Sequence, residues 1–244
     1  MCDEDVVAAC VRLVKEGMAG NDSSHDWFHV QRVTNTGRGT PRSPRLCLTL
    51  PPPPALRLAE EEGVEDRTVV QVCVGAWVGA LLHDVWDHKY AKAGDLSAEE
   101  SAAKFLTELG MAEDRIARVV AIISGVSFSS ELALPAGYVP PKEVAVVQDA
   151  DRLDAIGAIG IARCLTFGGS RHRTLHDPDV PPALGLTKEE YKRHEGTTVN
   201  HFYEKLLTLA GRMKTDAGRR TADARHAVMV EWLDQFHAEW KGEK

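Results

Sequence analysis

Val144–Cys164 reads VAVVQDADRLDAIGAIGIARC, a run of small and apolar residues broken by Gln148, Asp149, Asp151, Arg152 and Asp154. This composition suits a helix packed on all sides, although its first half also suits a buried strand. The surrounding chain favours the helix. In Asp5–Met18, Val7, Cys10, Val11 and Val14 share one face behind an acidic first turn. Val69, Val70, Cys73, Trp77, Ala80 and Leu81 form a second stripe that runs into His83-Asp84. Ser97–Leu109 opens with an Asp95/Ser97 cap and two glutamates in its first turn and stops at Gly110. Ile116, Val119, Val120 and Ile123 continue the helical period, and Lys188–Ala210 and Thr221–Trp240 are two long amphipathic stretches. Strand signals are few, and no Gly-rich dinucleotide loop is present. The expected fold is all-α, a single helical bundle spanning residues 1–244.

The 244 residues carry a net charge of −7 and are 43% apolar, enough for a self-sufficient core. The modest acidity argues against a nucleic-acid polymer or an anionic membrane as partner, since both require a basic footprint. No stretch approaches the roughly 18 apolar residues of a membrane span. Asp3, Glu4 and Asp5 precede any apolar run, unlike a secretory signal or transit peptide. The five cysteines (2, 10, 47, 73 and 164) are odd in number and widely spaced, as expected of reduced thiols in a cytoplasmic protein.

Two segments interrupt the helical pattern. His172–Leu184 contains Asp177-Pro178 and Pro181-Pro182 and is expected to be an exposed loop. Gly37–Pro54 (GRGTPRSPRLCLTLPPPP) is rich in proline and arginine and has no acid. Proline cannot continue a helix. Excising the segment joins Thr36 to Ala55 and restores a helical stripe through Val33, Ala55, Leu56 and Ala59. A tolerated surface insertion explains it at little entropic cost. An in-frame retained intron explains it too: GGT for Gly37, CCA for Pro54 and a GC-starting Ala55 give GT…AG boundaries and restore alanine.

Three clusters carry chemistry: His25-Asp26-Trp27-Phe28-His29 with Arg32-Val33, His83-Asp84-Val85-Trp86-Asp87-His88, and Asp149-Ala150-Asp151-Arg152-Leu153-Asp154. A mixed histidine and carboxylate set suits a divalent ion that prefers five or six ligands, unlike a cysteine-zinc site. Adjacent His83 and Asp84 diverge by about 100° on a helix. Both reach one ion only if it sits over that helix and other helices supply the remaining ligands.

The order His-x-x-Arg-Val, Leu-His-Asp, then Gln-Asp-Ala-Asp-Arg-Leu-Asp-Ala-Ile-Gly-Ala-Ile-Gly resembles the HD-domain metal-dependent phosphohydrolase superfamily. It is most similar to the small stand-alone bacterial-type branch with Ser-His-Asp-x-x-His at the first cluster. Ser127-Phe128-Ser129, His201-Phe202 with Lys205-Leu206, and the Thr215…His226 helix extend the likeness over nearly the whole chain, Gly37–Pro54 excepted. The resemblance implies a metal site between helices, held by His29, His83, Asp84 and Asp151. The mixed donor set suits Mn²⁺ first, with Mg²⁺, Co²⁺ or Fe²⁺ as alternatives. Asp87 matches the carboxylate that handles the nucleophilic water in related enzymes, where Glu is usual and reaches further. If the His83-Asp84 helix continues, Asp87 lies one turn on, near the His83 face. Val126 stands where bacterial relatives often have histidine.

The activity so implied is hydrolysis of a phosphorylated small molecule, by the same resemblance a nucleotide, with pyrophosphate release from a nucleoside triphosphate. The ion would acidify a water and polarise a phosphoryl oxygen, and cationic groups would offset the charge on the remaining oxygens. His25, Lys89 and Arg152 are the expected substrate contacts, while Asp26 and Asp154 are expected to anchor ligands and helix ends. His172, His176, His194 and His237 sit in polar stretches and are expected to be solvated. Hydrolysis of a nucleoside 5′-monophosphate and a non-catalytic nucleotide-sensing module stay open, as does a homodimer. A metallopeptidase fits poorly: the acid within His25–His29 is Asp where that pattern needs Glu, and His83, Asp84 and Asp151 would have no role.

Overall fold

A computed structural model describes residues 3–35, 78–79, 81–82, 85, 96–126, 131, 135, 138–185, 194 and 196–244. The fold is all-α, and no strand occurs among the described residues. The helices are α1 (Asp3–Gly17), α2 (Trp27–Asn35), α3 (Ala98–Glu108), α4 (Glu113–Val126), α5 (Lys142–Asp154), α6 (Gly157–Ser170), α7 (Asn200–Glu204) and α8 (Asp216–Trp240). Gly37–Pro54 lies outside the described residues. Contacts group the chain into two compact units, Met1–Asn21 with His25–Asp151, and Asp22–Ser24 with Arg152–Lys244.

In the first unit, the stripe read from α1 buries Val7, Cys10 and Val14, joined by Val6 and Met18. These meet Val30 of α2, then Val78, Leu81 and Leu82, Ala102 and Leu106 of α3, and Ile116, Val119 and Ile123 of α4. Ser97 starts α3 with a full capping box: its hydroxyl accepts from the Glu100 amide at 3.1 Å, and the Glu100 carboxylate accepts from the Ser97 amide at 2.9 Å. Such a cap contributes about 1 kcal/mol. Gly110, at φ +72°, ends that helical segment as its position implied. Gln148 of α5 donates from Nε2 to the Gly125 carbonyl at 3.0 Å, fastening α5 to the end of α4.

Val144–Cys164 departs from the expected single helix. Its first half is helical, which removes the strand alternative, but the run breaks between α5 and α6. Ile156 is extended (φ −126°, ψ 167°) and Gly157 takes φ +72°, a conformation that favours glycine. Gly160 then packs so closely that a Cβ there would stand 2.2 Å from the Ala155 carbonyl oxygen. The two glycines of the Ala-Ile-Gly-Ala-Ile-Gly run thus allow a break in the helix and a close backbone approach to Ala155, which a periodicity argument does not detect.

In the second unit, α6 packs against α8. Lys188–Ala210 does not form the long amphipathic helix expected of it. Its described part holds only α7 and two short 3₁₀ turns, Leu206–Thr208 and Ala210–Arg212. The Thr198 and Val199 amides donate to the Thr174 and Leu175 carbonyls, each at 2.9 Å, so this backbone is committed outside a helical ladder. The last helix begins earlier than Thr221, where the Thr215 hydroxyl accepts from the Gly218 amide at 3.0 Å. Phe202, Trp232, Phe236 and Trp240 stack in sequence along it, with ring centroids 5.1, 5.3 and 5.8 Å apart.

Candidate metal centre

The first cluster is a turn followed by a helix start. Asp26 caps α2, its Oδ1 accepting from the His29 amide at 3.0 Å, which bears out the anchoring role expected of it. Asn21, which the sequence reading passed over, donates from Nδ2 to the His25 carbonyl at 3.0 Å. The signal was a cluster of turn-forming Asn, Asp and Ser residues ahead of a helix. Trp27 packs beneath the Lys15 ammonium, 4.8 Å from the ring centroid. These contacts fix the first turn of α2, and with it His29, which is fully buried.

His29 meets Asp151 of α5. Its Nε2 stands 3.5 Å from Asp151 Oδ1, and the Asp151 side chain is 30% exposed. That separation exceeds an ordinary hydrogen bond of about 2.7–3.2 Å. Two donors, each about 2.0–2.2 Å from one shared ion, stand roughly 3.0–3.5 Å apart at angles near 90–110°. An imidazole nitrogen and a carboxylate oxygen at this spacing, one buried and the other open to water, fit a divalent cation. The His25 ring lies edge-on to His29, centroids 6.1 Å apart, so the structure brings together three of the residues read from the sequence.

His83, Asp84, Asp87 and Lys89 lie outside the described residues, and no group of three metal-donating side chains occurs among the described ones. Val85 is in a turn, its amide donating to the Leu82 carbonyl at 3.3 Å. Arg152 is buried and donates from Nη1 to the Arg212 carbonyl at 2.8 Å. Asp154 is buried as well and pairs with Arg163 at 3.1 Å.

Several of the histidines expected to be solvated are packed. His194 pairs with Glu204 at 2.9 Å, and His237 shares a 2.9 Å hydrogen bond with the Tyr203 hydroxyl. His176 sits edge-on to Phe236, His237 and Trp240. Burial holds His237 below the usual histidine range, and His176 adds to the effect. Polar neighbours in sequence disguised these positions, because the partners lie elsewhere in the chain: rings of α8 for His176, Tyr203 for His237 and Glu204 for His194. His172 alone is exposed as expected. Cys10 and Cys164 are free thiols, each pushed up to about 12 by burial, hence inert at neutral pH.

No family model matches the chain. A protein of Bacillus subtilis, YpgQ, is 31% identical over 229 residues, covering 94% of this chain and 91% of YpgQ. A crystal structure from Lactobacillus plantarum is 35% identical with a TM-score of 0.78, covering 99% of this chain and 100% of that one. An HD-superfamily hydrolase from Bacillus thuringiensis is 31% identical with a TM-score of 0.63, covering 98% and 99%. The chain belongs to the HD superfamily. The likeness runs nearly the length of each of these chains, as the sequence motifs implied, and through the Bacillus thuringiensis protein joins the chain to HD-superfamily hydrolases. YpgQ has also been crystallised in complex with ADP, in a structure 27% identical to this HD chain with a TM-score of 0.65, covering 96% and 97%. No described helix of the HD chain is long and apolar enough to cross a membrane.

Proposed function

We propose that this HD-superfamily chain is a single-domain, divalent-metal-dependent phosphohydrolase that acts on nucleotides in the cytoplasm, releasing pyrophosphate from nucleoside triphosphates. The carrying observation is the buried His29 nitrogen 3.5 Å from the partly exposed Asp151 carboxylate, the spacing of two ligands on one cation. The ADP complex of YpgQ supports a nucleotide ligand.

His29 and Asp151 would hold the ion with His83 and Asp84, the doublet that follows the buried Leu81-Leu82 pair. The ion, when bound, supplies Lewis acidity toward a phosphoryl oxygen and toward water; Mn²⁺ is the first choice, with Mg²⁺, Co²⁺ or Fe²⁺ as alternatives. Asp87 would take the proton from the attacking water, a step within reach of a carboxylate at hydrogen-bond distance. His25, edge-on to His29 and partly open to solvent, would donate to a phosphate oxygen. Lys89 and Arg152 would supply the positive charge that the spreading phosphoryl charge requires.

Chromatographic product analysis tests the reading, with NTPs, dNTPs and NMPs incubated with each divalent ion. Pyrophosphate and a nucleoside monophosphate are the expected products. Orthophosphate from NMPs would make the chain a 5′-monophosphatase. Nucleotide binding without turnover under every ion would make it a sensing module.

A further inference from the structure

Arg163 is a charged residue on α6, a helix otherwise built mainly of glycine and apolar residues. Its side chain is only 12% exposed. Nε donates to the Ser24 carbonyl at 2.7 Å, and Nη1 stands 3.1 Å from Oδ2 of Asp154. Both partners are interior: Ser24 is 1% exposed and Asp154 3%. Ser24 is held in turn by Asp22, whose Oδ1 accepts from the Ser24 amide at 3.0 Å. The backbone beside Asp154 is fixed too, because the Arg225 guanidinium donates to the Leu153 carbonyl.

A buried ion pair yields little net stability over well-packed apolar groups, since desolvation offsets most of the attraction. Geometry is the better account of this one. Ser24 precedes His25 by one residue, a Cα step of about 3.8 Å. Asp154 follows Asp151 by one helical turn, a rise of about 4.5 Å along α5. The planar guanidinium therefore grips two chain segments, one leading directly into the His25–His29 cluster and the other carrying Asp151. A lysine could not do the same, because an ammonium is a point charge without a fork of fixed angle.

We propose that Arg163 is a positioning residue that sets the register between the His25–His29 segment and Asp151 by bridging Ser24 and Asp154. Its catalytic consequence rests on the proposed metal-dependent reaction; its geometric consequence does not. A misplacement of about 1 Å costs on the order of 100-fold in a catalytic constellation, and loss of a group that orients a ligand costs about 10–100-fold in metal affinity.

The test uses the full chain with R163A, R163K and D154N. Mn²⁺ affinity is measured by titration calorimetry, kcat and KM are measured separately, and the His25 and His29 ring resonances are recorded by NMR without metal. R163A is expected to lose about 10–100-fold in Mn²⁺ affinity. Its ring resonances should move, and added guanidinium should restore part of the loss; R163K should recover less. R163A with unchanged resonances and unchanged Mn²⁺ affinity overturns the proposal. So does a loss that follows the melting temperature and resists guanidinium. Should R163A not fold, D154N decides: moved ring resonances support the bridge, and wild-type resonances overturn it. If the wild-type chain neither binds Mn²⁺ nor releases pyrophosphate, the proposed reaction fails, while the metal-free resonances still decide the role of Arg163.

Discussion

Replacing Gly160 by alanine tests the break between α5 and α6, the feature that ends the Asp151 helix. A Cβ at this position would stand 2.2 Å from the Ala155 carbonyl oxygen and 2.4 Å from its carbon. An unstrained carbon–oxygen approach is about 3.3 Å, so the backbone must open by about 1 Å. No flexible side chain can absorb that shift, because the obstructing atoms are backbone. Overpacking of this kind costs about 1–3 kcal/mol, and alanine recovers about 1 kcal/mol of helix propensity where glycine was interior. The difference is about 0–2 kcal/mol, and its upper end applies because backbone atoms obstruct the Cβ; about 2 kcal/mol lowers Tm by about 4–8 °C in a chain of this size. Gly169, on the same helix, is the control, because nothing lies within 4 Å of its added Cβ. G169A should melt at or slightly above the wild-type temperature. Thermal denaturation followed by circular dichroism reads both variants. G160A melting no lower than wild type, or moving together with G169A, would refute the close approach of Gly160 to Ala155.

Asp151→Asn should reduce Mn²⁺ content and turnover together by at least about 10–100-fold, read by metal analysis beside steady-state kinetics; full metal and full activity would remove Asp151 from the site. Asp87→Asn should keep metal occupancy and lose about 10²–10⁴-fold in kcat, whereas loss of metal in step with activity would make Asp87 a ligand. Cys10 and Cys164, with thiols at about 12, should stay protonated and resist alkylation at pH 8 in the folded chain, which peptide mapping after iodoacetamide checks. Deleting Gly37–Pro54 should preserve or raise Tm, and transcript sequencing should find GT…AG boundaries there if the segment is a retained intron; a deletion that unfolds the chain would make it packed structure.

The sequence by itself determined the helical class, the α1 stripe, the α3 cap and stop, and the residue order by which the chain resembles HD proteins. These are local matters: a period near 3.6, a Ser-x-x-Glu box and a glycine after the last turn act within a few residues of themselves. It also singled out His25, His29 and Asp151 as chemical residues. Only the tertiary structure decided that His29 Nε2 faces Asp151 at 3.5 Å, because the two residues are far apart in sequence and no local pattern sets that distance. The same holds for the break at Ile156–Gly157, where one residue's backbone conformation overrides a continuous apolar pattern. His176, His194 and His237 read as solvated because their partners are remote in sequence. Arg163 was passed over in the sequence, and its two buried partners, Ser24 and Asp154, became visible only when folding brought a turn and a helix end to the same guanidinium. Side-chain periodicity records which face of a helix is buried; it does not record which distant polar group that face meets.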